Sequence, residues 1–351
     1  MSTLKVRIVR IEKVIPHPDP ETTSLDLIPV DGWCVLVKRG SFKVGDLAVY
    51  FPIDSLLPLK LSDAIGCTKY LGTGGHVKAA KLRGVPSYGV LWHINSFHEY
   101  LANSGKFSPI GLTDIGIDLT EFLGVTKWEP PVKLQDGDAE KPHTLFDKYT
   151  DIENYRNYTR VFSENEEIVA TEKIHGTNAR YGLVDEEGQE VYMVGSHNVR
   201  KRESPHSKYW VVFSQSLKDM LKFIKEKYNA HAVIAYGEIY GAGIQDLTYN
   251  MKDIALRLFD IKVDDRYLDY DDFVTFTGIY NISVAPSLYR GPFSLEKIKS
   301  FEGKSWVGDC IIEGAVFKPV KERIDQHIGR AILKYVYDSY YNRKGNRTEY
   351  H

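Results

Sequence analysis

Thr171-Glu172-Lys173-Ile174-His175-Gly176-Thr177-Asn178 follows the apolar run Ile168-Val169-Ala170, and this junction decides how the rest of the chain is read. The apolar run predicts a buried strand. It ends near a lysine, and a glycine three residues later lets backbone approach a bound group closely. Thr177 and Asn178 add hydrogen-bonding side chains beside it. A lysine so placed suits a nucleophile that must meet a phosphate, because desolvation or neighbouring cations can make the amine reactive. Lys-x-x-Gly also arises by chance, and most such lysines are solvated. The junction therefore needs company before it means catalysis.

Company stands downstream, in order. Ala235-Tyr236-Gly237-Glu238-Ile239-Tyr240-Gly241 sets a carboxylate between glycines in a strand-like run. Leu256-Arg257-Leu258-Phe259-Asp260-Ile261 places an aromatic beside an acid, and Ile312-Glu313-Gly314-Ala315-Val316-Phe317-Lys318-Pro319 carries an acid and then a lysine. Ala331-Ile332-Leu333-Lys334-Tyr335 ends an apolar run with another cation. Taken singly, each reads as ordinary core or solvated surface; their shared order and spacing do not. Strands are expected at Val233–Ile239, Leu256–Val263, Cys310–Pro319 and Ala331–Tyr337. Ser214–Tyr228 spaces Leu217, Met220, Leu221 and Ile224 as one helical face.

Upstream, the pattern changes. Lys5–Ile11 alternates, with Val6 and Ile8 on one side, and Trp33–Val37 is a buried-looking run. The turn signals His17-Pro18-Asp19-Pro20, Asp31-Gly32, Gly40 and Gly45-Asp46 separate short strands, which suggests a small barrel. Residues 1–130 hold 14 basic against 13 acidic side chains, so this part is not a strongly cationic module. Trp128-Glu129-Pro130-Pro131 and Gln135-Asp136-Gly137-Asp138 then form a polar, aperiodic stretch that reads as a linker.

The whole chain of 351 residues and 40.0 kDa is long enough for two domains. Its formal net charge of -2 excludes a general basic field, so a polyanion must be held by local patches. No apolar run is long enough to span a bilayer, and the opening residues lack the apolar core of a signal peptide. Cys34, Cys67 and Cys310 stand far apart with no Cys-x-x-Cys pair, which fits a cytoplasmic setting without disulfides or zinc. No Gly-x-Ser-x-Gly supports a serine hydrolase.

The five stretches resemble the motifs of the covalent nucleotidyltransferases, the superfamily of ATP-dependent ligases and capping enzymes, and within it the RNA ligases. Lys173–Asn178 looks like motif I, Tyr236–Gly241 like motif III and Leu258–Ile261 like motif IIIa. Glu313–Pro319 looks like motif IV and Ile332–Val336 like motif V. His17–Glu21, Lys43–Pro58 and Lys81–Leu91 are similar to the OB-type module that precedes the catalytic domain in the Deinococcus–Naegleria branch. The resemblance implies an α+β protein: an N-terminal OB-type β-barrel at 1–127, a linker at 128–147, and a nucleotidyltransferase domain of antiparallel sheets with flanking helices at 148–351.

The resemblance also implies the roles. Lys173 would take AMP from ATP, pass it to an RNA 5′-phosphate, and a 3′-hydroxyl would then displace it. Glu238, Glu313 and, less directly, Asp260 would hold Mg²⁺ or Mn²⁺. Phe259 would stack on adenine, and Lys318 and Lys334 would neutralise phosphates. Asn178 would contact the RNA 5′-phosphate, and His175 would serve the later steps. Two departures stand out. Motif V lacks its usual second lysine, for which Arg330 is a substitute, and the ribose-side arginine is either Arg200 or His197, with Arg200 the better match. In the barrel, Lys38, Arg39, Lys81, Arg83, Tyr50 and Phe51 are candidates for holding RNA, although either ring could equally be barrel wall. The expected partners are RNA ends, in a nicked duplex or single-stranded, with no membrane and a monomeric state, in RNA repair. A DNA ligase or capping enzyme would share Lys173, Glu238 and Glu313 but usually places its OB domain after the catalytic one. A non-catalytic RNA-binding protein on the same fold would explain the incomplete motif V.

Overall fold

The computed structural model describes residues 4–104, 114–128 and 138–343. The chain divides into two compact units, Met1–Glu129 and Pro130–His351. In the first, Arg7–Arg10, Leu47–Phe51 and Val90–His93 form an antiparallel sheet with Leu47–Phe51 in the middle. Ile15–Pro16, Leu25–Val30 and Trp33–Lys38 form a second, its hairpin closed by Asp31-Gly32 with Asp31 left-handed. Alternation sends Val9, Ala48 and Tyr50 into one cluster with Ile28 and Val35. It sends Ile8, Val49 and Phe51 into another, beneath Leu61 of the helix Leu59–Ile65 and Phe97 of the helix Ile94–Ser104. Tyr50 and Phe51 are thus 1% and 0% exposed on opposite sides of one strand, and the Tyr50 hydroxyl donates to Tyr88 O at 2.9 Å. Neither ring is open to a base. Burying each contributes about 1.5–3 kcal/mol to the fold, which accounts for both.

The second unit is built on two sheets. A seven-stranded antiparallel sheet runs Ala139–Glu140, Arg200–Lys201, Gln189–Ser196, Thr177–Glu186, Ala232–Gly241, Ile254–Val263, Arg266–Tyr267. A five-stranded sheet runs Glu153–Asn154, Leu333–Val336, Gly314–Pro319, Glu167–Lys173, Ser287–Pro292. The helix Gln215–Tyr228 covers the first sheet with Leu217, Met220, Leu221 and Ile224, all buried. Ser214 caps it by accepting from the Leu217 N–H, and Asn229 ends it in the left-handed region. Of the stretch 128–147 read as a linker, 129–137 lies outside the described residues. The remainder packs: Ala139–Glu140 joins the large sheet, and Phe146 is 3% exposed over Gly182 and Gly195, where a Cβ would strike its ring.

Candidate active site

Register dictates which side chains meet. In the small sheet Lys173 lies opposite Gly314, Thr171 opposite Val316 and Val169 opposite Lys318, while Lys334 pairs with Val316. Paired residues share a face, so Lys173, Lys318 and Lys334 stand on one side. Ile168, Ala170, Phe317 and Leu333 fill a core on the other. In the large sheet Asn178, Arg180, Tyr236, Glu238 and Asp260 share the face turned away from the helix-covered core. The Lys318–Asp260 ion pair at 2.9 Å shows that these two polar faces confront each other.

At one end of this cleft the Lys173 Nζ lies 2.6 Å from Glu313 Oε1. Burial pushes the Glu313 carboxyl up, but the Lys173 ammonium and the nearby His175 outweigh it and hold it at about 2. Half-buried Glu238 differs. Burial pushes it up to about 8, against the pull of Lys173 and with a further push from Glu313. Two buried oxygens here, Glu313 Oε2 and Asn178 Oδ1, have no hydrogen-bond partner. Glycine is required in the turn, since a Cβ on Gly176 would strike Ile239 O and Glu238 Cγ.

The other end is closed. Asp260 accepts from Lys318 Nζ at 2.9 Å, Arg330 at 2.6 Å and the Tyr149 hydroxyl at 2.8 Å. Burial raises its pKa, but Arg330 and Lys318 prevail and hold it below the usual range. Glu322 completes the cluster, pairing with both cations, and Arg330 lies over the Tyr267 ring at 3.6 Å. Asp260 is therefore not placed with Glu238 and Glu313 as a metal ligand; two cations already claim its oxygens. Arg330 does not share a strand with Lys334 either, since Gly329–Arg330 pairs with Ile324–Asp325.

Phe259 sits between the two ends. The pairing slips one residue between Tyr236 and Gly237, leaving Phe259 as the extra residue of a bulge. Without it, Phe259 and Asp260 would face opposite ways; with it, both reach Tyr149, the two rings 4.9 Å apart. Arg200 is engaged by Glu140 at 2.9 Å and Glu186 at 3.6 Å. In the first unit Lys38, Arg39, Lys81 and Arg83 are exposed. Arg39 binds Asp26 at 3.1 Å, and Arg83 turns the hairpin Ala80–Ser87 with a left-handed φ of 49°.

Among the described residues no three or more His, Cys, Asp or Glu side chains gather to hold a metal by themselves. Two carboxylates, one with an unpartnered oxygen, and the Asn178 amide still fit Mg²⁺ or Mn²⁺. These ions commonly take one or two carboxylates and complete their shell with water and phosphate oxygens.

The RNA ligase family model matches residues 166–336, a stretch that holds Lys173, Glu238, Phe259, Glu313 and Lys334. The second unit thus carries a domain that matches the RNA ligase family. That family is one of ATP-dependent ligases. An OB-fold domain model matches residues 5–94. Naegleria gruberi RNA ligase with PPi is 25% identical, with a TM-score of 0.75, covering 97% of this chain and 98% of that one. A lysine-to-alanine variant of that ligase with ATP and Mn is 24% identical, with a TM-score of 0.76, covering 96% and 98%. A lysine-to-methionine variant with AMP and Mn is 24% identical, with a TM-score of 0.75 over the same shares. The fold is thus α+β, an OB-fold domain followed by a ligase domain of antiparallel sheets with helices. No curated protein matches the chain.

Sequence reasoning missed several residues of this site. Glu322, Tyr149 and Tyr267 complete the closed end, and Gln245, Asp246, Tyr249 and Tyr340 surround the lysine-bearing turn. The Tyr249 hydroxyl accepts from His175 N–H at 2.6 Å, and the Gln245 amide donates to Gly176 O. Tyr249-Asn250, with φ of 56° and 57°, is a left-handed pair that asparagine alone hints at in sequence.

Proposed function

We propose that the protein joins RNA 3′-hydroxyl and 5′-phosphate ends in RNA repair, through AMP carried on Lys173. The observation that carries this reading is the Lys173 Nζ at 2.6 Å from Glu313, with Glu238 beside the pair and unpartnered oxygens facing them. Lys173, once its ammonium has given up a proton to solvent, forms a bond from Nζ to the α-phosphorus of ATP as the bond to pyrophosphate breaks. The adenylate then moves to the RNA 5′-phosphate, and the 3′-hydroxyl displaces AMP. Each transfer is an in-line displacement, so the protein's task is to position groups and balance charge. Glu313 accepts from Lys173 and fixes its amine. Glu238 and Glu313 would hold Mg²⁺ or Mn²⁺, which supplies charge neutralisation on the phosphates when bound. Phe259 stacks on adenine, Lys334 faces the phosphates on the lysine's side of the sheet, and Asn178 meets the 5′-phosphate. Lys38, Arg39, Lys81 and Arg83 hold the RNA backbone.

The test is intact mass after incubation with ATP and Mn²⁺ or Mg²⁺, followed by sealing of a nicked RNA duplex. The wild type should gain one AMP and seal, and Lys173→Ala should do neither. A wild-type mass unchanged with both cations would refute the reading.

A further inference from the structure

The first unit gathers its positive charge in one stretch. Residues 60–83 hold five cations, Lys60, Lys69, Lys78, Lys81 and Arg83, against one acid, Asp63. The rest of 1–130 holds 9 basic and 12 acidic side chains, so the near-neutral total conceals a local basic patch. All five cations are exposed, and none of them pairs with a carboxylate among the described residues. Tyr70 stands in this stretch, 67% exposed, with Lys69 Nζ 5.0 Å from its ring centroid. Among the described Phe, Tyr and Trp rings of the unit it alone is exposed. Its turn, Thr68–Tyr70, is pinned: the Tyr70 N–H donates to Cys67 O at 2.8 Å, and the Thr68 hydroxyl donates to Asp63 at 2.5 Å. The one acid is thereby taken up in fixing the turn.

Lys78 is seated as well. Its stem crosses Gly72, where a Cβ would strike Lys78 Cε, although the Gly72 backbone is ordinary, with φ −75°. Glycine is needed there for the lysine's sake and not for the backbone's. The Gly72 N–H donates to His76 O at 2.7 Å, which closes the loop and returns the chain beside the Tyr70 turn. The hairpin Ala80–Ser87, with Lys81 and Arg83, follows directly. A ring held outward on a fixed turn, with seated cations beside it, is complementary to a polyanion that carries flat bases. We propose that Tyr70 is a stacking platform for an unpaired RNA base, with Lys69 and Lys78 on the neighbouring phosphates and Lys81 and Arg83 continuing the track. This rests on reading the protein as one that acts on RNA. It moves the stacking role from Tyr50 and Phe51, both buried, to a ring that is open. A paired base has its faces covered by the duplex stack, so the platform favours single-stranded RNA.

Fluorescence anisotropy of the full-length chain with a labelled single-stranded RNA tests the proposal. The strand lacks a 5′-phosphate, so it can bind but cannot accept AMP. Tyr70→Ala should weaken binding about tenfold with the salt dependence unchanged, and Tyr70→Phe should keep wild-type affinity. Lys78→Ala should reduce the slope of log affinity against log salt by about 0.7. Gly72→Ala unseats Lys78 while keeping its charge; it should weaken binding alone and add nothing in a Lys78→Ala background. On an RNA duplex, Tyr70→Ala should bind as the wild type does. Unchanged single-strand binding by Tyr70→Ala overturns the proposal, as does an equal loss in Tyr70→Phe, an equal loss on the duplex, or a wild type that binds no single strand. A protein that takes AMP and seals RNA while Tyr70→Ala binds normally loses the platform and keeps the ligase reading. A protein that binds as expected but never takes AMP loses the ligase reading and keeps the platform.

Discussion

The two ends of the cleft use similar residues to opposite effect. Around Asp260, each charge meets its opposite: Lys318 and Arg330 share Asp260 and Glu322, and Tyr149 closes the remaining side. Around Lys173, one amine faces two carboxylates, and two buried oxygens have no partner. Burial without a matching charge is costly, so an unmatched end persists only where the surrounding fold holds it. The closed end is such a support. It ties Asp260 of the large sheet to Lys318 of the small one, and so fixes the distance across which Lys173 and Glu238 face each other.

If that division is right, variants at the closed end should cost stability and variants at the open end should cost chemistry. The largest effect is expected for Asp260→Ala. It leaves two buried cations short of a partner and should lower unfolding free energy by about 3–5 kcal/mol, read by denaturant titration. Next comes Glu238→Gln, which should slow AMP uptake by about 10²-fold without loss of stability. An equal fall in stability would erase the contrast between the ends.

Glu238 also gives a pH test. Its carboxyl is raised to about 8 in the folded protein, so the fold holds a proton that the unfolded chain has already released. The contribution of Glu238 to stability is present below the ordinary carboxylate range and is lost as pH rises toward 8. Without divalent cation, Glu238→Gln should therefore gain melting temperature over the wild type as pH rises from 5.5 to about 8.5. Mn²⁺ should narrow the gap.

Asn178→Ala removes a side chain whose Oδ1 has no partner, so stability should change by less than about 0.5 kcal/mol while sealing falls about tenfold. The smallest effect belongs to the first unit. Lys81→Ala should weaken RNA binding modestly and alike across sequences, and reduce the slope of log affinity against log salt by about 1.

Much of this was legible in the sequence wherever local order carries the signal. Helix Gln215–Tyr228 begins at its serine cap and shows its apolar face in the spacing. Lys173, Glu238 and Glu313 could be singled out because each stands in or beside a strand with glycine nearby. The strand expected at Cys310–Pro319 is shorter, Gly314–Pro319, because Cys310 bonds back to Ser305 in a loop. What could not be read were partners chosen by folding. Asp260 looks like a metal ligand until Lys318 and Arg330, distant in the chain, are folded onto it. Tyr50 and Phe51 look like base-stacking rings until both sides of their strand prove to be covered.

The single extra residue at Phe259 makes counting matter more than spelling in its strand. The bulge is a phase shift: residues before it and after it keep opposite parity with respect to the cleft. Pairing the strand without the slip would swing Asp260 toward the apolar core and strand Lys318 and Arg330, however well the letters were preserved. Exchanging Phe259 for another large ring would leave the phase intact. In this strand, register is the more strictly governed property.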